Sequence, residues 1–409
     1  MQLDQQRRPG AECDLLIARQ MRSAICEETV RVCTAQFGAS VRALVLTGSI
    51  ARDEATWVRD AGYWKLLGDA DFFLVFQDRI PAEPAVQGVA REVETVLRSK
   101  NIAADIGLAA VEGGYFRKLP PHIATYELRT CGRVVAGEQG ILSLVPAFQA
   151  AEISLEDAWR LLANRIIELI EAVAVSGDPQ SAAARYRSVK LLLDMATSYL
   201  VFTGRYLPTY GERASALQEM AEQATDAGAP FPLAEFAGVV TACTNFKVGS
   251  GPYPRTVTGL FHDAVNYAEG LWRWELSRLT GTRADCPNSE LMERWMALQP
   301  LSVRLRGWAS LLRRSGWLRS WRQWPRWARL LLASPRYWVY GSAAEILFRL
   351  PQLLEHGRNC TIPDAAWEAI SATMSGVAGI PNRLGPPSWS IAGRMVSEGY
   401  RRFLETTAA

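Results

Sequence analysis

The sequence predicts an α+β protein, a small mixed sheet followed by a large all-α region. Three observations carry this. Short β-branched and apolar runs, the mark of buried strands, occur only before about residue 146. Beyond that point apolar residues recur at helical spacing, in long segments punctuated by Gly and Pro. The chain of 409 residues is 49% hydrophobic and 21% charged, enough for two or three cores and too apolar for disorder. The expected units are 1–146, an α/β unit with an N-terminal helix; 147–299, a helical unit; and 300–409, an Arg- and Trp-rich helical region.

Each element has its own signal. Leu15, Leu16, Ala18, Met21, Ile25, Val30 and Val32 share a helical spacing, which predicts a helix over 11–37. The run VRALVLT (41–47) predicts a buried strand, ended by Gly48-Ser49. SIARDEATWV then reads as a helix start with Ser49 near its N-cap. DFFLVF (71–76), IAADIGLAAV (102–111) and GRVVAGE (132–138) predict further strands, with an amphipathic helix at 84–100 between the first two. Ser154 and Asp157 open a helix over 154–175 with capping-box spacing, and the helix over 181–204 ends on a glycine. Helical patterns continue at 212–226, 232–246, 256–280, 288–298, 302–315, 325–333 and 339–355.

Composition narrows the function classes. The seven cysteines include no C-x-x-C pair and the three histidines stand far apart, so neither a disulfide framework nor a zinc site is expected. The first residues, MQLDQQRRPGAECD, lack the apolar core of a signal peptide, and no stretch reaches the ~18–20 apolar residues of a spanning helix. The expected location is the cytoplasm. The net charge is only +3, but residues 301–409 hold 15 Arg, no Lys and 6 acids, so the basic end is C-terminal. Only five of the 45 basic residues are lysine: Lys65, Lys100, Lys118, Lys190 and Lys247. In such a chain a lysine marks a place where a compact ammonium is wanted.

The acids carry the chemistry. Asp69 and Asp71 lie i, i+2 at the mouth of a strand, so they share a face about 7 Å apart. Carboxylates that close repel unless a cation sits between them, and hard oxygen donors favour Mg²⁺. Asp105, alone in AADIGLA, would add a third ligand if its strand lies beside 71–76. Three carboxylates on adjacent strands suit a two-metal phosphoryl-transfer site. Gly48 lets a phosphate approach the backbone, the following helix start offers free N–H groups, and Ser49 adds a hydroxyl. A lone G-S is usually a turn and a lone D-x-D usually a loop acid. The ordered set of strand, G-S, helix, D-x-D on a strand and a later strand acid is far more specific.

LTGSIARDE…GDADFFLVF…ADIGLA resembles the nucleotidyltransferase superfamily of DNA polymerase β type, whose signature is hG[GS], Dx[DE] and a third acid on a neighbouring strand. The matching residues are Gly48-Ser49, Asp69-Ala70-Asp71 and Asp105, and the resemblance covers roughly 35–145. It implies a small mixed-sheet nucleotidyltransferase domain with a helical region closing over the nucleotide. It implies Mg²⁺-dependent transfer of a nucleoside monophosphate from an NTP, ATP first among them, to a hydroxyl acceptor of small-molecule or glycan type. Two Mg²⁺ ions, or Mn²⁺ in their place, would be held by Asp69, Asp71 and Asp105. Gly48, Ser49 and a helical-region lysine, here Lys190, would meet the triphosphate. The interval from Ser49 to Asp69 is longer than in compact members; its residues 52–68 would form a flap or an elaborated loop.

Alternatives stand beside this. Lys190 would otherwise pair with Asp194 on a solvated helix face. Tyr210 and Arg213 would line the same cleft, and Lys247 in NFKVGSGPYPR would bind a phosphate, gate the site or sit in a plain connector. Residues 303–340 hold nine Arg and six Trp, with Arg319, Arg322, Arg326 and Arg329 on one helix face and Trp317, Trp321 and Trp324 on another. This tract reads as a helical core with a wet face, as a peripheral contact with the inner membrane face, or, less favoured, as a nucleic-acid grip. The rival functions are a non-catalytic nucleotide-binding or scaffold protein and an RNA-directed nucleotidyltransferase.

Overall fold

Every strand of the described residues lies between Val41 and Gly137 in the computed structural model. It describes residues 11–223, 228–249, 251–254, 257–315, 330–331, 333–355, 360–364, 367, 370–371 and 386–407. The strand-bearing part runs α1 (Ala11–Phe37), β1 (Val41–Leu46), α2 (Gly48–Ala51), β2 (Trp57–Asp60), β3 (Tyr63–Phe76), α3 (Glu83–Ser99), β4 (Ile102–Glu112), α4 (Ile123–Cys131) and β5 (Arg133–Gly137). The sheet order is β5-β1-β3-β4, with β2 antiparallel to the start of β3 on the edge that also carries β1. β4 runs parallel to β3 on the other edge. The fold is therefore mixed α+β with a large helical region.

Alternation along the strands decides what each face meets. Leu66, Ala70, Phe72, Leu74 and Phe76 of β3 and Ile102 and Ile106 of β4 pack against one layer of helices. That layer is α1, through Ile25 and Val32, and α3, whose Val86, Val89, Val93 and Leu97 fall on one helical stripe. Each such side chain contributes about 1.5–3 kcal/mol by leaving water. The opposite face holds Val75 and Val111 over Phe116, Leu128, Ile141 and Val145. At its other end that face is left to Asp69, Asp71 and Asp105, all exposed.

The helical part comprises α5 (Leu155–Ser176), α6 (Ala182–Phe202), α7 (Tyr210–Glu222), α8 (Leu233–Lys247), α9 (Val257–Thr280), α10 (Asn288–Leu298), α11 (Leu301–Ser315), α12 (Pro335–Glu355) and α13 (Trp389–Thr407). One apolar core joins them. Trp159 is fully buried at its centre, 5.0 Å from the Trp272 ring and stacked on Tyr337 at 5.6 Å. No helix of the described residues is long and apolar enough to cross a membrane.

Several expectations need correction. β3 begins at Tyr63 rather than Asp71, so much of 52–68 is a β-hairpin built into the sheet. Its residues Trp64 to Leu67 do not alternate and Gly68 mimics a turn, which hid the strand. α2 is a single turn with Thr47, not Ser49, at its N-cap. Ser154 does stand at the N-cap of α5 but makes no capping bond, and Asp157 instead accepts the Ile123 amide at 2.9 Å. α4 and α13 were not expected at all. Of the Arg/Trp tract, Trp308 is buried and donates its indole N–H to the Ala333 carbonyl at 2.8 Å. Half-buried Trp338 donates to the Leu330 carbonyl at 2.8 Å. These two belong to the helical core; Trp317, Trp321, Trp324, Arg319, Arg322, Arg326 and Arg329 lie outside the described residues, as does most of the helix expected at 325–333.

Candidate functional site

The site is built where the C-terminal end of β1 meets the middle of β3 and the first half of β4. Asp69 and Asp71 project from the same face of β3, opposite the helix layer, because Ala70 between them is fully buried in that layer. The parallel register sets Asp69 against Asp105 and Asp71 against Gly107. The three acids predicted to act together thus share one face of adjacent strands. Among the described residues, no three His, Cys, Asp or Glu side chains are drawn together as a finished ligand set.

Asp71 is the most closely fitted of them. A β-carbon on Gly107 would lie 2.4 Å from its Oδ1, and one on Gly48 would lie 3.3 Å from its Oδ2. The carboxylate occupies the room that two glycines leave. Gly48 is tied to the same place through its neighbour, since the Thr47 amide donates to the Asp71 carbonyl at 2.9 Å. Gly48 also adopts φ +70°, where other residues are strained. Ser49 is half-buried in the turn, and its carbonyl accepts the Glu54 amide at 2.8 Å. Loss of water pushes the Asp71 carboxyl up to about 6, the Asp69 charge adds to this, and Lys190 opposes it. Because Asp71 is exposed as a residue, that shift is worth less in stability than a buried one.

Lys190 comes from α6 and lies near enough to Asp71 for its charge to favour that carboxylate. Its ammonium lies 3.6 Å from Glu168, and burial, then Arg165, lower its pKa while Glu168 raises it. The pair with Asp194 is not what forms: Asp194 is buried and accepts from Arg165, and Tyr210 donates to it at 3.3 Å. Arg187 is taken by Glu168 at 2.5 Å. Tyr210 and Arg213 do not line the cleft. Both are buried, and Arg213 donates to Glu127 at 2.5 Å. Lys247 ends α8 rather than lying in a loop, is buried, and donates to the Tyr186 hydroxyl at 3.0 Å.

Sequence reasoning missed Gly107, Tyr186 and the place of Lys247. A glycine inside a strand, two residues after a strand acid, was a usable signal of close approach. Tyr186 had none, because its partner Leu67 is 119 residues away. In comparison with known proteins, the chain matches no family model and no curated protein.

Proposed function

We propose that this protein is a Mg²⁺-dependent nucleotidyltransferase that moves a nucleoside monophosphate from an NTP, ATP first, to a hydroxyl acceptor. One observation carries the reading: the Asp71 carboxylate seated between Gly48 and Gly107, on the face of Asp69 and Asp105, within electrostatic reach of Lys190. The donor set fits a hard divalent cation, being all carboxylate oxygen, with Asp69 and Asp71 repelling each other in its absence. Asp69, Asp71 and Asp105 would hold the metal, which when bound neutralises triphosphate charge and activates the attacking hydroxyl. Gly48 gives the triphosphate access to the backbone and Lys190 supplies a positive charge to it. Asp105 would take the acceptor's proton as the hydroxyl oxygen bonds to the α-phosphorus and the bond to the leaving pyrophosphate breaks.

The test is pyrophosphate release from Mg²⁺ and each NTP across sugars, aminoglycosides, proteins and RNAs. Asp105→Asn should keep nucleotide affinity within a few-fold and lower turnover by about two to four orders of magnitude. Asp69→Asn with Asp71→Asn should abolish Mg²⁺-dependent nucleotide binding. A double variant that binds MgATP like the wild type would overturn the assignment.

A further inference from the structure

The β3 strand carries an irregularity just before the acids. Lys65 pairs with Ala103 and Asp69 with Asp105, so three residues of β3 lie between positions that are separated by one in β4. The excess is two residues, which keeps the alternation: Leu66 and Ala70 still face the same core. Gly68 closes the bulge at φ +138°, and a β-carbon there would come no nearer than 4.0 Å to Tyr186 Oη. Glycine is required at this position by conformation, not by crowding.

A ring of four hydrogen bonds holds the bulge, beginning at the Leu67 amide and closing on the Leu67 carbonyl. The Leu67 amide donates to the Thr56 carbonyl at 2.8 Å. The Thr56 hydroxyl donates to the Lys247 carbonyl at 2.9 Å. The Lys247 ammonium donates to the Tyr186 hydroxyl at 3.0 Å, and that hydroxyl donates to the Leu67 carbonyl. Leu67 and Thr56 belong to the strand-bearing part, Tyr186 and Lys247 to α6 and α8. Lys247 is 4% exposed, its ammonium bonds the Tyr186 hydroxyl, and among the described residues it makes no salt bridge with a carboxylate. A buried ammonium whose partner is a phenol is a costly way to fill space; an apolar side chain would do that better.

We propose that Tyr186, held by Lys247, is a positioning residue: it fixes the Leu67-Gly68 bulge and so sets where Asp69 stands beside Asp71 and Asp105. The helical part then completes the acid set from outside the sheet. This rests on the proposed function for its consequence, cation and nucleotide binding, but not for the positioning itself.

The experiment uses the full chain with Tyr186→Phe, which removes one hydroxyl, alongside Lys247→Met and Asp69→Asn. The first readout needs no metal: amide hydrogen exchange over 66–71 in the cation-free protein. Tyr186→Phe should speed exchange there at least tenfold while the melting temperature stays within a few degrees. Unchanged exchange would overturn the inference whatever else is seen. The second readout is Mn²⁺ affinity, measured from free Mn²⁺ by electron paramagnetic resonance. Tyr186→Phe should weaken it about tenfold, in the range found when an outer partner of a metal ligand is lost. The double variant Tyr186→Phe/Lys247→Met should weaken it little further, because the two side chains act as one device. Faster exchange with Mn²⁺ affinity within twofold of wild type, while Asp69→Asn lowers it strongly, also overturns the inference. Should Asp69→Asn leave Mn²⁺ affinity unchanged, the metal reading fails, and the exchange result alone decides the positioning.

Discussion

At the scale of single residues, Glu275 shows how far burial governs charge in the helical part. It is fully buried in α9, and its Oε1 accepts the Ser198 hydroxyl at 2.5 Å. Burial raises its pKa from 4.5 to about 8, against the Ser198 bond, so the carboxyl is mainly protonated at neutral pH. A raised acid holds in the folded state a proton that the unfolded chain has released. Stability is therefore full below about pH 4.5 and falls as pH rises towards 8. Glu275→Gln keeps the shape and cannot ionise. It should be more stable than wild type by about 3–5 kcal/mol at pH 8.5, with the difference nearly gone by pH 4.5. Urea unfolding of both proteins at the two pH values checks this; parallel stabilities would mean that Glu275 is not held neutral.

At the scale of elements, the glycines around Asp71 separate folding from function. Gly107 lies inside β4 at an ordinary backbone angle, and an added methyl would meet the Asp71 carboxylate, the mobile end of a side chain. Gly107→Ala should leave the melting temperature unchanged or slightly higher while displacing that carboxylate and weakening Mn²⁺ binding at least tenfold. Gly48→Ala meets the same carboxylate at 3.3 Å but adds a strained φ, so it should also cost about 1–2 kcal/mol of stability. Thermal melts and Mn²⁺ titration of the pair distinguish them; equal melting temperatures would deny the strain at Gly48. The same elements show what could be read in advance. β1, the end of β3, β4 and β5 were legible because apolar runs and period-two alternation are local. So was the shared face of Asp69 and Asp71. α13 was not: Gly393 and Gly399 lower its helix propensity, and Gly393 is there because a β-carbon would come within 2.9 Å of Ile170 in α5. The hairpin is local but its second strand does not alternate, whereas the bulge and the Tyr186–Lys247 ring depend on contacts between distant segments, which no local pattern encodes.

At the scale of the whole molecule, the acids stand on one part and their cationic neighbours on the other, so the site depends on how the two are joined. The join is a buried ionic network centred on Glu127 of α4. Arg52 pairs with Glu54 at 2.9 Å and with Glu127, while Arg213 pairs with Glu127 at 2.5 Å. Tyr206 donates to Glu127 at 2.7 Å, and the Tyr210 amide donates to Glu54. Arg52 and Arg213 are 7% and 2% exposed at their side chains, so neither can turn to water if its partner is lost. Such a network adds less by forming than it costs when broken, because one removal leaves buried charge uncompensated. Wild-type protein should therefore melt in a single transition, the strand-bearing and helical parts unfolding together. Glu127→Gln keeps an acceptor for Arg213 and Tyr206 but removes the charge facing both arginines. It should cost about 3–5 kcal/mol and split the calorimetric trace in two, the strand-bearing part melting first. It should also weaken Mn²⁺ binding without touching any acid of the site, because Tyr186 and Lys247 reach Leu67 only while the parts stay docked. A Glu127→Gln protein that melts in one unshifted transition would show that the interface is held by its apolar contacts and that the network is a passenger.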